Sequence, residues 1–122
     1  MSTFTKLEEA ALHSIFAETP DFAPALERQL EKAAVTQRVN TGGGFYTDIA
    51  VADDLPRMNT HKVLGYETHA RVEGLTYGLG FVLFIEDGRL HLLEGFAVGP
   101  EDTTSLNLEE LNFAISKTPF DA

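Results

Sequence analysis

The fold is decided by residues 79–98, which read LGFVLFIEDGRLHLLEGFAV. The pair Asp87-Gly88 is favoured in two-residue type I′ turns, and a long apolar run flanks it on each side. This pattern predicts a β-hairpin with strands Leu79–Glu86 and Arg89–Val98. This hairpin is the strongest structural signal in the chain, and its apolar run at residues 81–85 has the length of a buried strand.

A regular ladder that starts at this turn fixes the face on which each side chain lies. Counting outward from the turn pairs Phe81 with Glu94 and Gly80 with Gly95. Glu94 then lies on an apolar face, where a carboxylate is costly unless it is paired or hydrogen-bonded. The sequence leaves three readings of Glu94 open: a strand-end position that reaches water, a salt bridge to a helix arginine, or a functional acid.

Both faces of this hairpin are largely apolar near its middle. In a two-layer domain the helices cover only one face of the sheet. The second face therefore needs a curled sheet, another segment of the chain or a second copy of the protein. A homodimer is one of our expectations.

The residues before this hairpin predict two helices and a first hairpin. Thr5 and Glu8 have the spacing of a capping box, and apolar residues recur at helical spacing after them. A second helix is expected from about Pro24. From Val35 onward, alternating residues predict two strands joined by the glycine-rich turn at residues 40–44.

The remaining segments are less regular. Residues 57–65 predict a loop with a short extended piece, and residues 107–116 fit a helix or a strand, of which we favour the strand. The whole chain, residues 1–122, is thus predicted to be one α+β domain. Two N-terminal helices pack on an antiparallel, curled β-sheet.

Composition excludes several classes of function. The formal charge is −10, from nineteen acidic and nine basic residues, and such a surface repels nucleic-acid phosphates. Cysteine is absent, which excludes disulfides and thiolate metal sites. The N-terminus lacks a signal-peptide pattern and no apolar run is long enough to cross a bilayer. We expect a cytoplasmic protein that binds neither nucleic acid nor membrane.

No motif in the sequence specifies a reaction, metal or cofactor. The segment Thr41–Gly44 precedes a predicted strand rather than a helix, so we interpret it as a turn and not as a phosphate-binding loop. The histidines at positions 13, 61, 69 and 91 lack the close spacing of metal ligands. A nucleophile elbow and a dinucleotide fingerprint are both absent.

The best candidate site is a hollow lined by glycines at the end of the second hairpin. Bare backbone at Gly80 and Gly95 permits either a sharp bend or the close approach of a ligand. Tyr46 and Asp48 are also expected to form a polar surface with Arg38 on the solvent side of the first hairpin. The candidate binding residues are Glu94, Tyr77, Phe96, Gly80, Gly95, Tyr46, Asp48 and His69.

The segment Gly44-Phe45-Tyr46-Thr47, together with residues 78–90 and Leu93-Glu94-Gly95-Phe96, resembles a group of small uncharacterised bacterial proteins. Members share a Gly-x-Gly-Phe-aromatic-Thr element and a strand, Asp-Gly turn and Leu-Glu-Gly-aromatic hairpin. The resemblance covers roughly residues 42–99. It implies a bacterial protein but no activity, because the group has no established one.

Three functional hypotheses follow. We favour a non-catalytic binding or interaction domain, similar in type to the small acidic immunity proteins that neutralise toxins. The second hypothesis is a small enzyme that uses Glu94 with His69 or Tyr77 in the glycine-lined hollow. The third is a domain that binds a small apolar ligand.

Overall fold

Two helices precede the strands in the computed structural model, which describes residues 3–51 and 62–116. The helices are α1 (Lys6–Ala17) and α2 (Ala23–Glu31). The strands in these two ranges are β1 (Ala34–Asn40), β2 (Gly44–Ala50), β3 (Lys62–Leu64), β4 (His69–Val72), β5 (Leu79–Glu86), β6 (Arg89–Ala97) and β7 (Phe113–Ser116). The predicted helices, both hairpins and the strand in the tail are confirmed. Of the predicted loop at residues 57–65, the part up to residue 61, including His61, lies outside the described residues.

The strands form one antiparallel sheet with the order β1-β2-β6-β5-β4-β7, in which β3 also pairs with β5. The hairpin β5–β6 occupies the centre of the sheet. The predicted α+β class is therefore confirmed. Both helices pack on one face, here called the inner face, and the opposite face is called the outer face.

The core lies between α1, α2 and the inner face. The capping box at Thr5 is confirmed, because its hydroxyl accepts from the Glu8 amide at 3.1 Å and the Glu8 carboxylate accepts from the Thr5 amide at 2.9 Å. The apolar residues of α1 are all buried: Leu7, Ala11, Leu12, Ile15 and Phe16. They belong to one cluster with buried residues of the sheet, including Phe45, Ile49, Leu79, Phe81, Leu83, Ile85, Leu90 and Leu93.

The turn of the central hairpin is held by a helix residue. Asp87 and Gly88 have φ angles of 53° and 73°, as a type I′ turn requires. The fully buried side chain of Gln29 donates to the Gly88 carbonyl and accepts from the Leu90 amide, each at 2.9 Å. Helix α2 is therefore fixed to the turn by two hydrogen bonds between buried groups.

The hairpin ladder contains a β-bulge that the sequence analysis did not predict. Ile85 pairs with Leu90 as expected, but Phe84 pairs with Leu92, so His91 is an extra residue in β6. Because strand side chains alternate, one extra residue moves every later side chain of β6 to the other face.

Because of the bulge, Glu94 lies on the opposite face of the sheet from the predicted one. Glu94 pairs with Val82 instead of Phe81, and Gly80 pairs with Phe96 instead of Gly95. The prediction that Glu94 lies on the buried apolar face was wrong, because its side chain lies on the outer face and is exposed. Leu93 takes the inner position and is completely buried.

A second irregularity, between Val35 and Gln37 in β1, turns Arg38 toward the inner face. Its guanidinium makes a bidentate ion pair with Glu8, with Nε at 2.6 Å from Oε2 and Nη2 at 2.7 Å from Oε1. The Thr47 hydroxyl donates to the same carboxylate at 2.5 Å. The expectation that Arg38 shares the solvent side with Tyr46 and Asp48 was therefore wrong.

This ion pair is a buried link between α1 and the first hairpin. Glu8 is 1% exposed, so its carboxylate is buried between the helix and the sheet. The hydrogen bond with Glu8 raises the pKa of Arg38 above its ordinary value, against the opposing effect of burial. The carboxylate is stable in the core because its charge is paired and its lone pairs accept hydrogen bonds.

Neither helix of the described ranges is long and apolar enough to cross a membrane.

We predict that Arg38→Met destabilises the protein by roughly 3–5 kcal/mol, because it leaves the Glu8 carboxylate buried and unpaired. Arg28→Met is the matched control on the exposed side of α2, and its cost should stay within about 0.5 kcal/mol. Urea unfolding followed by circular dichroism measures both. Equal costs for the two variants would contradict a structural role for the Glu8–Arg38 pair.

Candidate functional site

The outer face of the sheet brings together six of the eight candidate residues. Pairing and alternation place three cross-strand rows on it: Val39–Tyr46–Glu94–Val82, Gln37–Asp48–Leu92–Phe84–Val63 and Gly44–Phe96–Gly80–His69–Ser116. The candidate residues in these rows are Tyr46, Asp48, His69, Gly80, Glu94 and Phe96. The bulge at His91 is the reason that Glu94 and Phe96 join them.

The centre of the outer face is apolar. Val82, Phe84 and Leu92 occupy neighbouring positions on β5 and β6 and are half-buried. Phe96 and Val63 extend this apolar centre and are 38% and 40% exposed. The sequence predicts that both hairpin faces are apolar, but Val82, Phe84 and Leu92 are not among the predicted site residues.

The predicted glycine-lined hollow is not formed, because aromatic rings fill it. A methyl group on Gly95 would overlap the buried ring of Phe45 on the inner face. A methyl group on Gly80 would overlap the ring of Phe96 on the outer face. The two glycines therefore lie on opposite faces, and each allows an aromatic ring of the neighbouring strand to pack on bare backbone.

We predict that Gly95→Ala destabilises the protein by about 1–3 kcal/mol, because the new methyl group must displace a ring that is packed in the core. Gly43→Ala is the matched control, since among the described residues, apart from its two chain neighbours, no heavy atom lies within 4 Å of the added Cβ. Gly80→Ala should cost less than Gly95→Ala, because the Phe96 ring can swing into solvent. Urea unfolding measures all three variants, and an equal loss for Gly95→Ala and Gly43→Ala would contradict this packing.

Tyr77 lies in the loop between β4 and β5, apart from Glu94. The amides of Thr76 and Tyr77 donate to the Glu101 carboxylate at 2.5 and 2.8 Å. The Tyr77 ring packs against Gly99, where a methyl group would overlap it. Tyr77 is thus placed by the segment that follows β6.

The hydrogen bonds from Thr76 and then Tyr77 lower the pKa of Glu101 below its ordinary value of 4.5. The stabilisation that this contact provides is therefore fully present above pH 4.5. It is lost as the pH falls through the lower pKa that Glu101 has in the folded state. We predict that the amide proton shifts of Thr76 and Tyr77 titrate together below pH 4.5 by NMR. Glu101→Gln should abolish this titration, while Glu110→Gln should leave it; a titration that persists in Glu101→Gln would contradict the assignment.

Glu94 and His69 share the outer face but do not meet. They lie on β6 and β4, with β5 between them, and their rows are two residues apart. Standard strand spacing and rise place their Cα atoms about 12 Å apart. Nδ1 of His69 is buried and has no hydrogen-bond partner in the part of the chain that the structure describes.

The outer face also carries a cation that the sequence analysis missed. Arg71 lies on β4 two residues after His69, so it points to the same face and is exposed. Its strand has only four residues and no strong sequence pattern, which is why Arg71 was not a candidate. Asp48 and Glu94 lie on the other half of the face, on β2 and β6.

The helical side of the molecule carries an acidic groove of about 330 Å³ between α1 and α2. It is lined by Phe4, Glu9, His13, Glu27, Leu30 and Glu31. Nδ1 of His13 lies 2.9 Å from the Glu27 carboxylate. Within residues 3–51 and 62–116, no three histidine, aspartate or glutamate residues are grouped so that they could hold a metal ion.

The glycine-rich segment at residues 41–44 forms a turn, as the sequence predicts. The Thr41 amide donates to the Gly44 carbonyl at 2.9 Å, and strand β2 begins at Gly44. The buried Thr103 hydroxyl accepts from the Gly44 amide at 3.0 Å. The turn is therefore packed against the segment after β6.

Comparison of the chain with protein-family models, with curated proteins and with solved structures gave no match.

Proposed function

We propose that the chain is a non-catalytic protein-interaction domain that binds its partner through the outer face of the sheet. The observation that carries this proposal is the apolar centre of that face, formed by Val82, Phe84, Leu92 and Phe96, on the side opposite both helices. Contiguous apolar surface bordered by polar residues is typical of a protein interface.

The composition of the face supports binding to a protein. The aromatic rings of Phe84, Phe96 and Tyr46 lie near its middle, and the charged residues Glu94 and Asp48 lie beside them. Aromatic residues are enriched in interface centres, whereas charges are more frequent at the rim. A ring of polar groups around an apolar centre also favours a specific orientation of the partner.

The register favours binding over catalysis by the predicted residues. An enzyme needs several polar groups within hydrogen-bond distance in one cleft. Glu94 and His69 are separated by a strand, and Tyr77 is held by Glu101 in a loop. An apolar ligand in the glycine hollow is likewise disfavoured, because Phe45 and Phe96 fill that space.

The proposal includes an immunity-like role for a bacterial cytoplasmic protein. A small acidic domain with a formal charge of −10 would attract a basic toxin electrostatically. The partner would then be neutralised by steric cover, not by chemistry.

The test is affinity capture on the tagged chain, with gentle elution and native mass spectrometry. We expect a stoichiometric protein partner, of another sequence or a second copy of the chain, with the wild type. Phe96→Ser should reduce the bound partner by about tenfold or more, because central aromatic residues dominate interface energies. Tyr66→Ser is the matched control, since Tyr66 is 73% exposed and lies in the turn after β3.

Circular dichroism confirms that each variant is folded before capture. A wild-type chain that elutes alone would contradict the proposal. Retention of the partner by Phe96→Ser would contradict the outer face as its binding surface. A small-molecule adduct in place of a protein would favour the ligand-binding hypothesis instead.

A further inference from the structure

We propose that the acidic groove between α1 and α2 is a second interaction site, which binds an arginine side chain presented by a protein partner. The groove lies on the helical side of the molecule, opposite the outer face, and the inference does not depend on the proposed function. Two observations carry it: the groove has an apolar wall, and its rim bears carboxylates that no lysine or arginine of the described residues neutralises.

The wall of the groove is apolar. The side chains of Phe4 and Leu30 line it, and both are half-buried because they also pack against the core. The groove has a volume of about 330 Å³, and clefts that bind small ligands typically have about 300–1,000 Å³. The wall therefore offers apolar contact to the aliphatic stem of a long side chain, and Phe4 offers an aromatic ring to its charged end.

A hydrogen bond between the two helices fixes one end of the groove. Nδ1 of His13 lies 2.9 Å from the Glu27 carboxylate, and the His13 ring packs edge-on against Phe16, with ring centroids 6.2 Å apart. Residues 18–22 join the helices, and His13 and Glu27 are the charged groove residues nearest to this connection. Because Glu27 already has a partner, the charge that a ligand meets comes mainly from the other carboxylates.

These other carboxylates lie at the far end of the groove, one on each helix. Glu9 lies about one turn before His13 in α1, and Glu31 lies about one turn after Glu27 in α2. Both are exposed, and neither makes an ion pair within residues 3–51 and 62–116. Two unpaired carboxylates beside an apolar wall are complementary to a guanidinium on an aliphatic stem.

The cations of the helical side do not neutralise this end. Lys6, Arg28 and Lys32 are exposed, and none of them lines the groove. Arg28 and Lys32 are each two residues from Leu30, which places them on the opposite side of α2. Lys6 lies one turn before Glu9, but it makes no ion pair with it or with any other described residue. The groove therefore keeps its negative charge.

Arginine fits this arrangement better than lysine. A guanidinium is planar, donates from two sides at once and stacks on aromatic rings, whereas an ammonium ion is compact and more strongly hydrated. A carboxylate on each side of the groove suits a donor with several N–H groups, and the Phe4 ring suits a planar cation. The formal charge of −10 also favours the approach of a cationic segment.

An NMR titration of the labelled chain with the peptide acetyl-Gly-Arg-Gly-amide tests the site. We expect saturable shifts at the Leu30 methyl groups and the His13 ring. The same peptide with citrulline, the uncharged isostere of arginine, should bind at least about fivefold more weakly. The peptide with lysine should also bind more weakly than the arginine peptide. Equal affinity for the arginine and citrulline peptides would overturn the inference, as would shifts confined to residues outside the groove.

Glu9→Gln/Glu31→Gln should weaken binding of the arginine peptide by about fivefold or more, because it removes the carboxylates that meet the guanidinium. The matched control is Glu67→Gln/Glu110→Gln, which changes the net charge equally at exposed residues outside the groove. At physiological ionic strength its affinity should stay within about twofold of the wild type, because distant charges are screened. Equal weakening by the two variants would overturn the inference, since net charge alone would then account for the binding.

Circular dichroism on each variant verifies that the fold is intact, and the wild-type shifts need no variant at all. Failure of this inference is distinguishable from failure of the proposed function. If the arginine peptide produces no shifts in the groove while Phe96→Ser abolishes capture of a partner, only the groove site is overturned. If the peptide binds in the groove and Phe96→Ser retains the captured partner, the groove site stands and the outer face is contradicted as the binding surface.

Discussion

The whole arrangement depends on one extra residue in strand β6. Strand side chains alternate between faces, so the bulge at His91 exchanges the two faces for the rest of the strand. Leu93 then packs in the core and Glu94 reaches the outer face. Between the turn and the bulge, the chain is fixed by the buried side chain of Gln29, which forms hydrogen bonds with Gly88 and Leu90. Without the bulge, Glu94 would lie on the inner face, and Leu92 would replace Leu93 in the core.

Strand β1 contains a similar irregularity, which has the opposite effect on a charged side chain. The irregularity after Val35 directs Arg38 inward, where Glu8 and Thr47 complete a buried polar network. One bulge thus removes a charge from the core and the other brings in a charge that is fully paired. Each agrees with the rule that a buried ion needs a matched partner. The outer face, as a result, has carboxylates beside an apolar centre and no arginine on β1.

Local signals explain how much of the fold could be predicted. The capping box at Thr5, the Asp87-Gly88 turn and the alternation in β2 each act over a few residues, and the structure confirms all three. The bulges could not be read in this way. The partners of Gln29 lie about sixty residues away in the chain and the partner of Arg38 lies 30 residues away. Most candidate residues do lie on one face, but the register that places them there could not be predicted from the sequence. The predicted hollow is filled by aromatic rings whose positions depend on the same register.

The most direct test of this account is the register of β5 and β6 in solution, measured from interstrand NOEs on the labelled protein. The account predicts backbone contacts that join Val82 to Glu94 and Leu83 to Leu93, with His91 as the unpaired residue. Contacts that join Phe81 to Glu94 and Phe84 to His91 would show a regular ladder. That result would return Glu94 to the apolar face and contradict the outer face described here as the binding surface.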